Sequence, residues 1–316
     1  MGETKLAAIV LCIIGFALVP PIAGFFAEPY YIDLFTRIMV FGMAAVSLDL
    51  ILGYGGMLSF NQAMYLGVGG YAVGILARYG VDNGFLQLAV AILASALVAL
   101  VTGAISLRTT GVYFIMITLA FGQMFYFLGL SVEKFGGDEG LTINAHGNFG
   151  ALLNFDNATV LYYFVLASLF GTLVLCRYVV ASRFGMVIAG TKLNERRMRA
   201  IGFPTFRYKL AAFTLSGAIC GFAGALLANQ ALFVSPAIMA WGRSGEIMVM
   251  VIMGGIQTLL GPVLGAVIYL VLEDVLSGLT NHWQIVLGPF LVLLVLFARQ
   301  GIMGLFGQRA REATHG

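Results

Sequence analysis

The sequence predicts an all-α protein, a polytopic bundle of about ten membrane-spanning helices, and three observations carry that prediction. Of the 316 residues, 60% are hydrophobic and 10% charged, against roughly 25% charged in a soluble domain. So few charges cannot cover so much apolar surface from water, and the excess must face lipid. Apolar runs long enough to cross a bilayer recur along the whole chain. Glycine contributes 41 residues without a collagen-like period, and that excess suits close backbone approach between membrane helices. A soluble globular domain and a disordered chain are both excluded.

A span needs about 20 largely apolar residues, and the candidate runs lie at 6–26, 33–52, 57–77, 85–107, 111–131, 158–180, 208–231, 246–260, 262–280 and 283–298. The first follows Lys5 as a signal peptide would, but Pro20 to Gly24 offers no small-residue cleavage site, so the run is expected to stay as an anchor. The run at 246–260 is short and ends before Gly261 and Pro262, which leaves nine spans as the alternative.

Two polar breaks differ in sign. The break at 132–157 carries Glu133, Asp138, Glu139 and Asp156 against Lys134. The break at 181–207 carries Arg183, Lys192, Arg196, Arg197, Arg199 and Arg207 against Glu195 alone, flanked by Arg177 and Lys209. Cytoplasmic loops hold the Lys and Arg excess, so the second break is expected inside and the first outside. An even number of spans then puts both termini inside, in accord with Lys5 at one end and Arg299, Arg309 and Arg311 at the other. The layout is one transmembrane domain over 1–316, with an external loop at 132–157, a cytoplasmic loop at 181–207 and a cytoplasmic tail at 299–316.

Several functions are excluded by what is missing. No Gly-Lys dipeptide occurs, so the chain has no P-loop for ATP. The stretch Gly67 to Tyr71 lies inside an uncharged apolar run, where its glycines serve helix packing and not a dinucleotide. His146, His282 and His315 are far apart, and Cys12, Cys176 and Cys220 sit singly in apolar runs, so neither a metal site nor a catalytic cluster is expected. A formal charge of +3 is too weak to argue for nucleic acid. No enzyme activity and no cofactor are expected in this chain.

Polar residues within the runs are few. Asp49 lies close enough to the end of its run to snorkel or cap. Glu273 and Asp274 lie well inside theirs, where a carboxylate costs about 2.5 to 3.5 kcal/mol on insertion scales. They are candidates for a transport path, unless helix tilt brings them to the outer interface. Ser59, Asn61, Gln62, Thr118 and Gln123 either bond neighbouring helices or face a path for a polar solute. "GYGGMLSF" from Gly53 and "IMGGIQTLLGP" from Ile252 are similar glycine-broken turns, and such matching breaks can flank a substrate path.

Within the basic break, residues 191–201 favour a short helix, with Thr191 as N-cap, Gly202 as left-handed C-cap and Pro204 barring continuation. Leu193, Met198 and Ile201 give it an apolar stripe. Such a helix can lie on anionic lipid or dock in the groove of a cytosolic partner, and composition alone does not choose.

The stretch "NERRMRAIGFPTFRYKL" from Asn194 resembles the cytoplasmic coupling loop of branched-chain amino acid ABC permeases of LivM type, with Glu195, Ala200, Gly202, Tyr208 and Lys209 in matching places. Arg199 departs from that pattern, standing where the family often has a second Ala. "GYGGMLSFNQAMYLGVGGYAVGIL", "GVYFIMITLAFGQM", "GGDEGL", "MVMVIMGGIQTLLGPVLGA" and "LVLLVLFARQGIMGL" extend the resemblance over nearly the whole chain. It implies a permease subunit of an ATP-driven importer in the bacterial inner membrane, carrying branched-chain or other hydrophobic amino acids. It further implies a second homologous permease, two cytosolic subunits holding ATP and magnesium, and an external binding protein. Thr191, Leu193, Asn194, Glu195, Met198, Ala200, Ile201 and Gly202 would then form the ATPase-coupling segment. Import of urea or short-chain amides shares this pattern, and an ion-coupled secondary transporter using Glu273 and Asp274 is the reading from another class.

Overall fold

The computed structural model describes residues 15–21, 30–143, 146–149, 155, 157–279, 282, 285 and 287–289. Most of the predicted runs at 6–26 and 283–298, the tail at 299–316, and Cys12 lie outside the described residues. Nine helices of 14 residues or more stand among those described. They are α1 (Tyr30–Asp49), α2 (Gln62–Arg78), α3 (Gly84–Ser106), α4 (Val112–Ser131), α5 (Ala158–Ala181), α6 (Arg183–Ala200), α7 (Thr205–Ala231), α8 (Trp241–Gly254) and α9 (Gly261–Leu279). Six of them, α1 with its π-helical extension through Tyr54, α3, α4, α5, α7 and α9, are long and apolar enough to cross a membrane. Two two-residue strands, β1 (Leu141–Thr142) and β2 (Phe233–Val234), pair antiparallel with Leu141 opposite Val234. The all-α bundle predicted from composition is what the chain forms.

α1, α2 and α7 make the centre. α7 packs on α1, α2 and α3, while α9 packs on α1 and α8, and α5 on α1. The apolar window of α1 is 83% buried and that of α4 only 17%, so α1 is a core helix and α4 stands at the rim. The α2–α7 crossing accounts for part of the glycine excess. A Cβ on Gly69 would lie 2.0 Å from the Gly221 carbonyl oxygen, and one on Gly224 would lie 1.9 Å from that of Leu66. Only glycine permits backbones this close, and the gain is dispersion contact along both helices.

Two predicted runs change shape. The run at 57–77 becomes a helix only from Gln62, because Gly55 and Gly56, the latter at φ 67°, lead into a non-helical stretch. The run at 246–260 becomes α8, which begins earlier at Trp241 and stops at Gly254, before Gly255 at φ 112°. α2 is thus entered, and α8 left, through irregular backbone, and irregular backbone inside the bundle must find polar partners in the protein. Ser244 supplies them at the start of α2. Its hydroxyl donates to the Phe60 carbonyl at 2.7 Å and accepts from the Ala63 N–H at 3.0 Å, so a residue of α8 caps α2, whose own N-cap residue makes no such bond.

Candidate functional site

α7 begins beside α6 and ends beside the start of α1, where the Gln230 side-chain amide donates to the Asp33 backbone carbonyl at 2.7 Å. The bundle therefore has a basic end, carrying α6, and an opposite end, carrying β1 and β2.

At the basic end the predicted short helix is present but starts later. Asn194 leaves helical geometry, at φ −158° and ψ 97°, and its side chain accepts from the Arg197 N–H at 3.0 Å. Asn194 is therefore the N-cap. Thr191 is not: it belongs to the preceding turns of α6, where its hydroxyl donates to the Val187 carbonyl at 2.7 Å. Sequence reasoning chose Thr191 because both residue types cap well and no local signal shows where α6 kinks. At the other end Gly202 takes φ 93°. Gly202 N–H bonds the Arg199 carbonyl at 3.0 Å and Phe203 N–H that of Met198 at 3.1 Å, the paired bonds of a Schellman cap.

Glu195 is the hub of this segment. Its carboxylate accepts from Arg199 at 2.5 Å, from Lys209 at 2.5 Å and from the Thr205 hydroxyl at 3.1 Å, tying the short helix to the first turns of α7. Partial burial acts to raise its pKa, but the bonds from Lys209, Arg199 and Thr205 outweigh that and hold the carboxyl below its ordinary value. Met198 also turns inward, against Gly190. Leu193 and Ile201 turn outward, 86% and 63% exposed, with Asn194, Ala200 and Gly202 on the exposed side as well. The predicted apolar stripe is therefore split between an inward anchor and an outward surface.

The two glycine-broken turns meet one another next to this segment. The Gly53 carbonyl accepts from the Gln257 side-chain amide at 2.9 Å and from Lys192 Nζ at 2.7 Å. Tyr54 donates to the Gln257 carbonyl at 3.0 Å, and the Asp49 carboxylate accepts from the Gln257 N–H at 2.9 Å. Asp49 is 2% exposed, so it neither snorkels nor faces solvent. It caps the second break from within the first.

Four of the predicted path residues gather around the irregular stretch before α2. Ser59, Asn61, Gln62 and Thr118 are each fully buried. The Ser59 hydroxyl accepts from Asn61 N–H and the Thr118 hydroxyl from Phe60 N–H, both at 3.3 Å, and Gln62 donates to Ser216 at 2.8 Å. Gln123 lies apart, half-buried further along α4. Glu273 and Asp274 lie at the opposite end, where Glu273 pairs with Arg37 at 3.5 Å and the Tyr30 hydroxyl donates to the Asp274 carboxylate. Arg243 and Glu246 pair at 2.7 Å on α8. Arg37, Arg243 and Glu246 were missed from the sequence, although ionisable residues at the edges of apolar runs were there to be read. No metal-binding cluster occurs among the described residues.

Residues 30–298 match the family described as the branched-chain amino acid transport system permease component. The chain belongs to that family. Its similarity to the high-affinity branched-chain amino acid transport system permease protein LivM of Salmonella typhimurium is 25% identity over 295 residues, 86% of this chain and 69% of that protein. The same figures hold for the LivM protein of Escherichia coli. The L-arabinose ABC transporter permease protein AraH of Azospirillum brasilense is 30% identical over 122 residues, 36% of each chain. No solved structure matches. As an ABC permease of LivM type the chain is a multi-pass inner-membrane transport protein and not an enzyme, as its motifs led one to expect.

Proposed function

We propose that this permease imports branched-chain or other hydrophobic amino acids at the expense of ATP hydrolysed by cytosolic partner subunits, with its basic end and both termini inside. The observation that carries the reading is the short helix around Glu195, bonded to α7 through Lys209, while just before its N-cap Asn194 the side chain of Lys192 reaches the Gly53 break. A rigid, capped helix moves as a body, and an ATPase seated on Leu193 and Ile201 would pull on Lys209 through Glu195 and on Lys192 through the backbone at Asn194. ATP binding would then bias an equilibrium between outward-open and inward-open arrangements of the bundle. A second permease subunit and an external binding protein complete the assembly, and Ser59, Asn61, Gln62 and Thr118 mark the central part of the route. Gln123, further along α4, stays outside that cluster. The carboxylates of Glu273 and Asp274 have partners in Arg37 and Tyr30, which supports a structural role over ion coupling.

The test is uptake by proteoliposomes holding the complete importer with its binding protein. Leucine accumulation that needs ATP and survives collapse of the proton gradient is expected. Accumulation without ATP that collapses with the gradient would overturn the proposal, and uptake of urea without leucine would replace its substrate.

A further inference from the structure

A cavity of about 510 Å³ opens at the end opposite the basic loop, between the start of α1, the end of α7 and the segment leading into α8. Its lining combines three kinds of side chain. Arg37 and Arg243 bring positive charge, Asp33 and Gln230 bring acceptors, and Phe41, Leu66, Leu227 and Ile238 bring apolar surface. Its volume is in the range of small-molecule sites. One of its lining residues, Arg243, is the sequence neighbour of Ser244, which caps α2.

The charges in it are unevenly satisfied. Arg243 gives one N–H to Glu246, and Arg37 meets Glu273 at 3.5 Å, too far for a direct hydrogen bond. A guanidinium has five N–H donors, so both keep capacity for a carboxylate. Asp33 lies one turn before Arg37, a spacing that favours an ion pair along the helix. Arg37 is drawn instead to Glu273, and Asp33 has no ion-pair partner among the described residues. Gln230 spends its amide N–H on the Asp33 backbone, while its side-chain oxygen is buried with no partner among the described residues. An anion-seeking pair and a cation-seeking pair therefore face one space lined with apolar side chains.

We infer that this cavity is an outer subsite for a zwitterionic α-amino acid with an apolar side chain, Arg37 and Arg243 taking its carboxylate, Asp33 and Gln230 its ammonium. Cβ atoms one helical turn apart are about 5–6 Å from each other, so Asp33 and Arg37 can hold the two groups of one α-carbon. Phe41, Leu66, Leu227 and Ile238 then receive the side chain. A neutral solute such as urea or a sugar would bring no charge to Asp33, which has no ion-pair partner among the described residues, or to the spare donors of Arg37 and Arg243. The inference rests on the amino-acid reading above and adds that selection is repeated in the membrane subunit itself.

The test uses the membrane complex with its ATPase subunits and without the binding protein, so that only membrane sites report. Saturation-transfer NMR is run with L-leucine, with leucinol, which lacks the carboxylate, and with 4-methylpentanoate, which lacks the ammonium. Native complex is expected to prefer leucine over both analogues by tenfold or more. Arg243→Gln should erase the preference over leucinol alone, and Asp33→Asn the preference over 4-methylpentanoate alone, a split that general misfolding cannot produce. As a check that keeps both charges, Ser235→Cys on the cavity lining should be protected from a thiol reagent by leucine. Leucine binding that is equal in native and variant complexes, or absent protection, overturns the subsite. Parallel uptake by the complete importer separates this from the wider reading: leucine transported but not bound here sinks only the subsite, whereas leucine not transported sinks the amino-acid assignment.

Discussion

Gln257 and Gly53, 204 positions apart, are joined by a hydrogen bond of 2.9 Å from the glutamine side chain to the glycine carbonyl, and Gln257 holds a left-handed backbone at φ 66° to make it. A non-glycine residue in that region is strained unless its surroundings fix it. Asp49 and Tyr54 fix it here, through bonds to its N–H and carbonyl. The two breaks are therefore one junction, and Lys192 is its only link to α6 among the hydrogen bonds of the described residues. Lys192→Met should leave ATPase subunits attached but lower substrate-stimulated ATP hydrolysis several-fold. Unchanged stimulation in the reconstituted complex would show that the signal bypasses Gly53.

The α2–α7 crossing makes a prediction about assembly. Gly69→Ala and Gly224→Ala each place a methyl group at about 2 Å from backbone oxygen, which side-chain rotation cannot relieve. Overpacking of this kind typically costs about 1–3 kcal/mol and more where backbone is involved. Both variants should be recovered at markedly lower monodisperse yield in detergent chromatography. Gly171→Ala, with open space around its Cβ on α5, is the matched control and should behave as native.

How much of this could be read in advance follows physical locality. Spans, breaks and the left-handed Gly202 depend on composition and on single-residue conformational preference, and both are written in the chain. The kink at Asn194 is a contest between two good caps three residues apart with no neighbour in sequence to decide it, and Asn194 and not Thr191 caps the helix. The partnership of Glu273 with Arg37 joins residues 236 positions apart in sequence, and no periodicity encodes it. The irregular entry to α2 and exit from α8 were hidden because hydrophobicity reports depth in the membrane and says nothing of whether the backbone there is helical. Ser244 makes the backbone before α2 tolerable, and it reads in the sequence as one more small residue.

Glu195 links stability to pH with a definite sign. Its pKa is held below the ordinary value of 4.5, so its contribution is complete above about that pH and is lost as pH falls through the lower folded value. Glu195→Gln removes the charge and should weaken the attachment of the short helix to α7 at neutral pH, where charge-assisted bonds are worth about 1.5–3 kcal/mol each. Proteolysis at Arg196 and Arg197, both exposed, reads that attachment directly. Cleavage should accelerate in Glu195→Gln at pH 7, and in the native chain only on acidification below pH 4.5.

The outward side chains at the two ends of the short helix yield the sharpest separation between folding and partnership. Leu193 and Ile201 are 86% and 63% exposed, so little apolar contact within the chain is lost when they change. Exposed substitutions of this kind usually stay within about 0.5 kcal/mol. Leu193→Asp and Ile201→Asp should therefore melt with the native protein, yet neither should copurify with its ATPase subunits, because each puts a charge into the apolar centre of a docking surface, where charged residues are depleted. Met198→Ala should do the reverse: its side chain packs on Gly190 inside the segment, so the loss falls on stability, about 1 kcal/mol, while the outward face and its partner remain. Copurification that follows thermal stability across all three variants, and not exposure, would mean that the partner reads the fold of the loop as a whole and not the two apolar side chains it presents.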